Sequence, residues 1–316
     1  MKRHAVVLLA VAVAASAILA CGRGEAKRKG TIGLSVLTLT NPFFKVIADT
    51  MTAEAAKYGF DVIVVSGEFD VAKQQNQVKD FIVKRVSAIV LTPCDSKAIG
   101  PAIKEANDAG IPVFTADIAC LAPGVNVICH VATDNYQGGR LAADAIVEAL
   151  GGKGKVAIID HPEVESVILR TKGFEERMAE LNKQPGVAIQ ILGKWPGGAV
   201  PDKSLKTAQD ILQAHSDLDG FFAINDPTAF GAVAALENAG KIGRVKVIAF
   251  DGQPEGKQMI KDGKIYADPI QFPDQIAIQT VEVIVRHFEG KEVAKEILIP
   301  TVLYRKADGE KDPTLK

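Results

Sequence analysis

From residue 31 onward the chain alternates short apolar runs with amphipathic helical segments, almost without interruption. Runs 31–37, 60–66, 88–92, 111–115 and 126–131 read as strands, and segments 42–58, 71–85 and 96–109 carry a helical period. Gly59 and Gly110 stand just past two of those helices, where a residue without Cβ ends a helix at no steric cost. Pro112 is tolerable because it sits at the start of its strand. Strands apolar on both faces must be covered on both, and helical crossovers join parallel neighbours. The pattern therefore predicts a parallel sheet between two helix layers.

The pattern then starts again. Segments 135–150, 164–181, 203–215 and 228–239 read as helices, with strands at 155–160, 187–192, 220–224 and 245–250 between or beyond them. Helices at 253–262 and 274–288 enclose a last strand at 265–270. The expected fold is α/β, with two doubly wound parallel-sheet lobes. A length of 316 residues with 47% apolar content supplies a core for each lobe. The net charge of −1, with no Lys/Arg stripe, removes nucleic acid from the expected partners, because phosphate neutralisation needs clustered cations.

The first thirty residues are different in kind. Lys2, Arg3 and His4 precede an apolar run over 5–17 that is too short to span a bilayer and has the length of a signal-peptide core. Ile18-Leu19-Ala20-Cys21 resembles a bacterial lipobox, which makes 1–20 a signal peptide and Cys21 the site of lipid attachment. The alternative is a plain secretory signal cleaved after Ala20. Residues 21–30 form a polar, glycine-containing tether. An exported protein, in the periplasm or at the cell surface and held to a membrane through Cys21, is expected. Disulfides are permitted in such a compartment. Cys120 with Cys129 is one pairing, across a Pro-Gly loop, and Cys94 with Cys120 is the rival.

Ligands of open parallel sheets bind beyond the carboxyl ends of the strands, so the residues there are candidates. After the first strand comes Asn41-Pro42-Phe43-Phe44, where Asn41 can cap the helix and at least one ring should face the cleft. Thr92 ends the third strand and Asp117 follows the fourth, with loop capping as the alternative role for Asp117. In the second array the strand ends carry Asp160-His161, Asn225-Asp226 and Asp251-Gly252, with Arg170 on the helix after His161. Carboxylates and amides accept and donate to vicinal hydroxyls, and a guanidinium offers a fixed fork of donors. Asn225 is equally suited to an N-cap. Trp195, in an irregular Pro/Gly stretch, either stacks on a ligand ring or covers a loop. Gln271 lies where the chain recrosses between lobes.

These residues carry a resemblance. Thr-Asn-Pro-Phe-Phe (40–44), Ala-Thr-Asp-Asn (132–135), Arg170 before Gly173-Phe174, Asn225-Asp226, Phe250-Asp251-Gly252 and Gln271-Phe272-Pro273-Asp274-Gln275 occur in the order seen in the periplasmic sugar-binding proteins of ATP-binding-cassette importers, the ribose binders in particular. The resemblance covers nearly everything from Lys29 to about Tyr304. It implies a type I periplasmic-binding-protein fold with crossovers near Thr133, Gln271 and Thr301. One lobe would comprise 31–133 with 272–300 and the other 134–271 with 301–316. It also implies that Asn41, Phe43, Phe44, Asp117, Arg170, Asn225, Asp251 and Gln271 line the site, with aromatics sandwiching a sugar ring. Thr92 stands where ribose binders have asparagine, and Ile118 where they have an arginine, so a more apolar pocket is expected. A pentose or hexose, a deoxysugar, an alditol or a cyclitol fits. The implied partners are a monosaccharide or polyol ligand and a membrane permease, bound by a monomer that closes about a hinge.

Enzyme chemistry finds little support. No His/Cys/carboxylate grouping has metal-ligand spacing, and only His161 lies near the expected cleft, so no catalytic residue, metal or cofactor is expected. Gly151-Gly152-Lys153-Gly154-Lys155 precedes a strand and lacks the phosphate-loop spacing, which makes it a turn. The rival readings keep the scaffold. One binds a charged metabolite through Arg170 and Asp117 or Asp251; the other presents sugar to a chemoreceptor or histidine kinase.

Overall fold

The computed structural model describes residues 29–316. Six strands form a first, wholly parallel sheet: β1 (Gly30–Val36), β2 (Phe60–Ser66), β3 (Ala88–Leu91), β4 (Val113–Ala116), β5 (His130–Thr133) and β11 (Glu296–Ile299), in the order β11-β5-β4-β3-β1-β2. The second sheet contains β6 (Lys153–Asp160), β7 (Ala188–Pro196), β8 (Gly220–Ala223), β9 (Lys246–Ile248), β10 (Ala267–Ile270) and β12 (Val302–Arg305), in the order β12-β10-β9-β8-β6-β7. Only β12 runs antiparallel to its neighbour there.

Both faces of the inner strands are buried, as their unbroken apolar runs require. In β3, Ala88 and Val90 join one apolar cluster while Ile89 and Leu91 join another on the opposite face. The helices that cover the first sheet are α1 (Pro42–Lys57), α2 (Val71–Val83), α3 (Gly100–Asp108) and α9 (Pro273–Phe288). Those of the second are α4 (Asn135–Ala149), α5 (Glu165–Leu181), α6 (Pro201–Ala214), α7 (Asp226–Asn238) and α8 (Pro254–Lys261). Side-chain caps start several of them: Asn41 accepts from Phe43 N–H, Asp134 from Gln137 N–H and Asn225 from Thr228 N–H, each at 2.9 Å.

The chain passes between sheets three times, after β5, after β10 and between β11 and β12. Thr301 ties these passages together: its N–H donates to Gln137 Oε1 at 3.0 Å and its hydroxyl to Ile270 O at 2.6 Å. In each sheet one strand lies between its successors in sequence, β1 between β2 and β3 and β6 between β7 and β8. Chain direction reverses its course across the sheet there, which opens a crevice beyond the carboxyl ends.

Three sequence expectations change. Trp195 lies not in an irregular loop but in β7, which pairs through to Trp195↔Ile159 after a register shift between Val156 and Ala157. Strands β11 and β12 were not legible, because Pro300 and Thr301 divide two four-residue runs. Cys94, Cys120 and Cys129 are all free thiols, so neither pairing exists. Cys129 packs in one apolar cluster and Cys120 against another, which holds those two thiols on different sides of the first sheet.

Candidate functional site

A narrow cavity lies between the carboxyl ends of the two sheets, lined from both lobes. Asn41, Phe43, Phe44, Asp117 and Ile118 line it from the first lobe; His161, Arg170, Asn225 and Asp251 line it from the second, and Gln271 from a crossover. Phe43 and Phe44 start α1 right after its cap, and their rings meet edge to face at 5.2 Å. Asp117 directly follows β4 and Asp251 lies just beyond β9, and each adopts a positive φ, +65° and +118°. Such backbone costs free energy in a residue with a Cβ, and it turns both carboxylates out of their strands toward the cavity.

Arg170 organises the second-lobe wall. Its Nε donates to Asn135 Oδ1 at 2.8 Å, and its Nη1 donates to Ile224 O at 2.8 Å and Asp251 Oδ1 at 3.1 Å. The guanidinium lies 3.8 Å from the centre of the Phe250 ring. Asp251 Oδ1 also accepts from Gln271 Nε2 at 2.6 Å. Burial pushes the Asp251 carboxyl upward, and Arg170 acts against that shift.

Three buried polar atoms of the lining meet no partner: Asp117 Oδ1, His161 Nε2 and Gln271 Oε1. Desolvation raises Asp117 to about 7, with Arg170 opposing. Burial lowers the pKa of His161, while Glu163, whose Oε2 is 2.8 Å from Nδ1, opposes that shift. Neutral His161 with Nδ1–H directed at Glu163 presents Nε2 to the cavity as an acceptor. Unpaired buried groups of this kind cost about 1–3 kcal/mol each, which a bound partner removes.

The lobes touch across the cleft. Ser96 N–H donates to Glu163 O at 3.0 Å, Glu165 N–H to Ser96 Oγ at 2.8 Å, and Gln253 Nε2 to Asn41 Oδ1 at 3.0 Å. The structure is thus a closed form.

Of the residues expected at the site, Thr92, Thr133 and Trp195 do not line this cavity. Thr92 and Thr133 are buried beside the strand ends, and Trp195 packs edge-on against His215 at 5.7 Å between ring centres. The aromatic surface comes from the first lobe alone, joined by Phe69, which sequence reasoning missed. Phe69 follows the carboxyl end of β2, so applying the strand-end rule there would have found it. From the second lobe Val164, Val167 and Ala199 supply the apolar lining. Asn225 both caps α7 and lines the cavity. Cys21 lies outside the described residues.

A periplasmic binding protein domain matches residues 32–292. The chain belongs to the periplasmic binding protein family. Within this family it is 37% identical over 286 residues to the ribose import binding protein of Salmonella typhimurium, covering 90% of this chain and 94% of that protein. A solute-binding protein of Actinobacillus succinogenes with bound D-allose superposes with a TM-score of 0.81 at 31% identity, over 90% of this chain and 100% of the other. The Caulobacter myo-inositol binding protein, with bound myo-inositol, gives 0.82 at 28% identity, over 92% and 98%. Both superpositions extend over nine-tenths or more of this chain, and so over both of the sheets described above. These relatives are binding proteins of importers rather than enzymes.

Proposed function

We propose that this chain is an extracytoplasmic sugar-binding lipoprotein that captures a monosaccharide or polyol by closing two lobes, 31–133 with 272–300 and 134–271 with 301–316, and delivers it to an ATP-binding-cassette permease. The observation that carries this reading is the set of unpartnered atoms at Asp117, His161 and Gln271 in one cavity that Phe43, Phe44 and Phe69 also line. A ring bearing hydroxyls on its rim and C–H groups on its faces satisfies both surfaces at once. Asn41, Arg170, Asn225 and Asp251 complete the ligand contacts.

A neutral ligand is favoured over a charged one. Arg170 is already neutralised by Asp251 and bonded to Asn135 and Ile224, which leaves no free cation in the lining to take a ligand carboxylate. Ligand first engages one lobe, and closure of the other follows as ligand biases an open–closed equilibrium. The relatives' names, ribose import binding protein and myo-inositol binding protein, support the same class. Attachment through Cys21 keeps the monomer near its permease.

A thermal-shift screen of the mature chain tests the reading with pentoses, hexoses, deoxysugars, alditols, cyclitols and amino acids. A rise in melting temperature with one sugar or polyol is expected. A rise with amino acids or other charged metabolites alone overturns the ligand class and leaves the fold.

A further inference from the structure

Helix α5, which carries Arg170, begins without a cap of its own. Its N-cap residue is Val164, an apolar side chain that cannot accept from the amides a first helical turn leaves open. One of those amides is met from the opposite lobe: Glu165 N–H donates to Ser96 Oγ at 2.8 Å. Beside it, Ser96 N–H donates to Glu163 O at 3.0 Å. A single buried serine of the first lobe thus makes two hydrogen bonds to the turn that starts α5 in the second.

Each half of this contact is held by its own lobe. Leu121 N–H donates to Ser96 O at 2.7 Å, and Asp95 Oδ1 accepts from the amides of Lys97 and Ala98 at 2.8 and 2.7 Å. These bonds lie within the first lobe and leave Ser96 Oγ and N–H for the second. Across the cleft, His161 N–H donates to Asp160 Oδ1 at 2.9 Å, Pro162 fixes its own φ, and His161 Nδ1 lies 2.8 Å from Glu163 Oε2. The same His161 lines the cavity with Nε2 unpartnered. A ligand hydroxyl that donates to Nε2 needs the imidazole proton on Nδ1, which is the tautomer that bonds Glu163. Ligand and the Glu163 bond therefore favour each other, and the turn they fix carries both second-lobe groups that meet Ser96.

We infer that Ser96 caps α5 from the opposite lobe and so clasps the closed form, and that His161 and Glu163 tie this clasp to the ligand. Ser96 and Glu163 are positioning residues: they set how long the lobes stay shut without touching the ligand. The inference deepens the sugar-binding reading and rests on it for the choice of ligand probes alone.

Fluorescence energy transfer between dyes on the two lobes gives the closed fraction of unliganded wild type and Ser96→Ala, and stopped-flow mixing with D-ribose, D-allose and myo-inositol gives kon and koff. Ser96→Ala is expected to lower the closed fraction and to raise Kd about two- to tenfold, the effect of one hydrogen bond. The rise should lie in koff, with kon within about twofold of wild type. A purely structural serine would shift unfolding and leave both quantities alone. An unchanged closed fraction, or a loss of affinity carried by kon, overturns the clasp. Glu163→Ala should act in the same direction, while Glu163→Gln, which keeps an acceptor for Nδ1–H, should stay within about twofold of wild type. Equal losses in the two variants overturn the tie to the ligand. If none of the probes binds, the sugar reading fails and the unliganded closed fraction still decides the clasp. Should Ser96→Ala not fold, Glu163→Ala, whose side chain is half exposed, carries both measurements.

Discussion

Arg170 and Asp251 form a buried ion pair, Nη1 to Oδ1 at 3.1 Å, with side chains only 4% and 5% exposed. Gln271 donates to the same oxygen from the crossover between lobes. The pair therefore joins ligand wall and hinge, and neither member can be removed without leaving the other charge buried and alone.

Replacing Arg170 by Ala should destabilise the fold by about 3–5 kcal/mol, the usual cost of orphaning a buried charge. Asp251→Ala should also weaken ligand binding by more than about tenfold, since a buried charged hydrogen bond contributes about 1.5–3 kcal/mol. Denaturant unfolding and calorimetric titration measure the two effects. Unchanged affinity in Asp251→Ala would remove this carboxylate from the site.

Closure should depend on pH. In the closed form burial raises both Asp117 and Glu165 to about 7, against ordinary carboxylate values when open and solvated. A raised carboxyl favours the closed form below its ordinary value, and that preference is lost as pH rises through about 7. Unliganded protein should thus be more closed near pH 5 than near pH 8. Asp117→Asn with Glu165→Gln should flatten the response. Fluorescence energy transfer between labels on the two lobes reads this directly, and an open fraction that does not move with pH would sink the idea.

Trp195→Phe should leave ligand affinity within about twofold of wild type, because the ring packs on His215 and the β7 edge and not on the cavity. A larger loss by calorimetry would mean that Trp195 reaches the ligand in a form more open than this one.

Cys21→Ser should yield unacylated protein in the soluble fraction. Labelling with a radioactive fatty acid, followed by fractionation, checks this; persistent membrane attachment would defeat the lipoprotein reading.

Local chemistry wrote much of this protein into its sequence. The two-faced apolar runs required covered parallel sheets, and Asn41-Pro42 and Asn225-Asp226-Pro227 announced helix starts because caps and first-turn prolines act over a few residues. The strand-end rule then pointed to Asp117 and Asp251, which the structure brings to one cavity. What depended on tertiary structure were pairings between distant segments. Arg170 meets Asp251 across 81 residues, and no local pattern says which acid a helical arginine will find. Trp195 became a strand residue because Ile159 offered it a partner, against the Pro/Gly character of its neighbours. The cysteines were separated by the sheet that formed between them. Asp226 looked like part of a helix start, yet its side chain turns to the loop after β9, where Oδ2 accepts from Gln253 N–H across 27 residues.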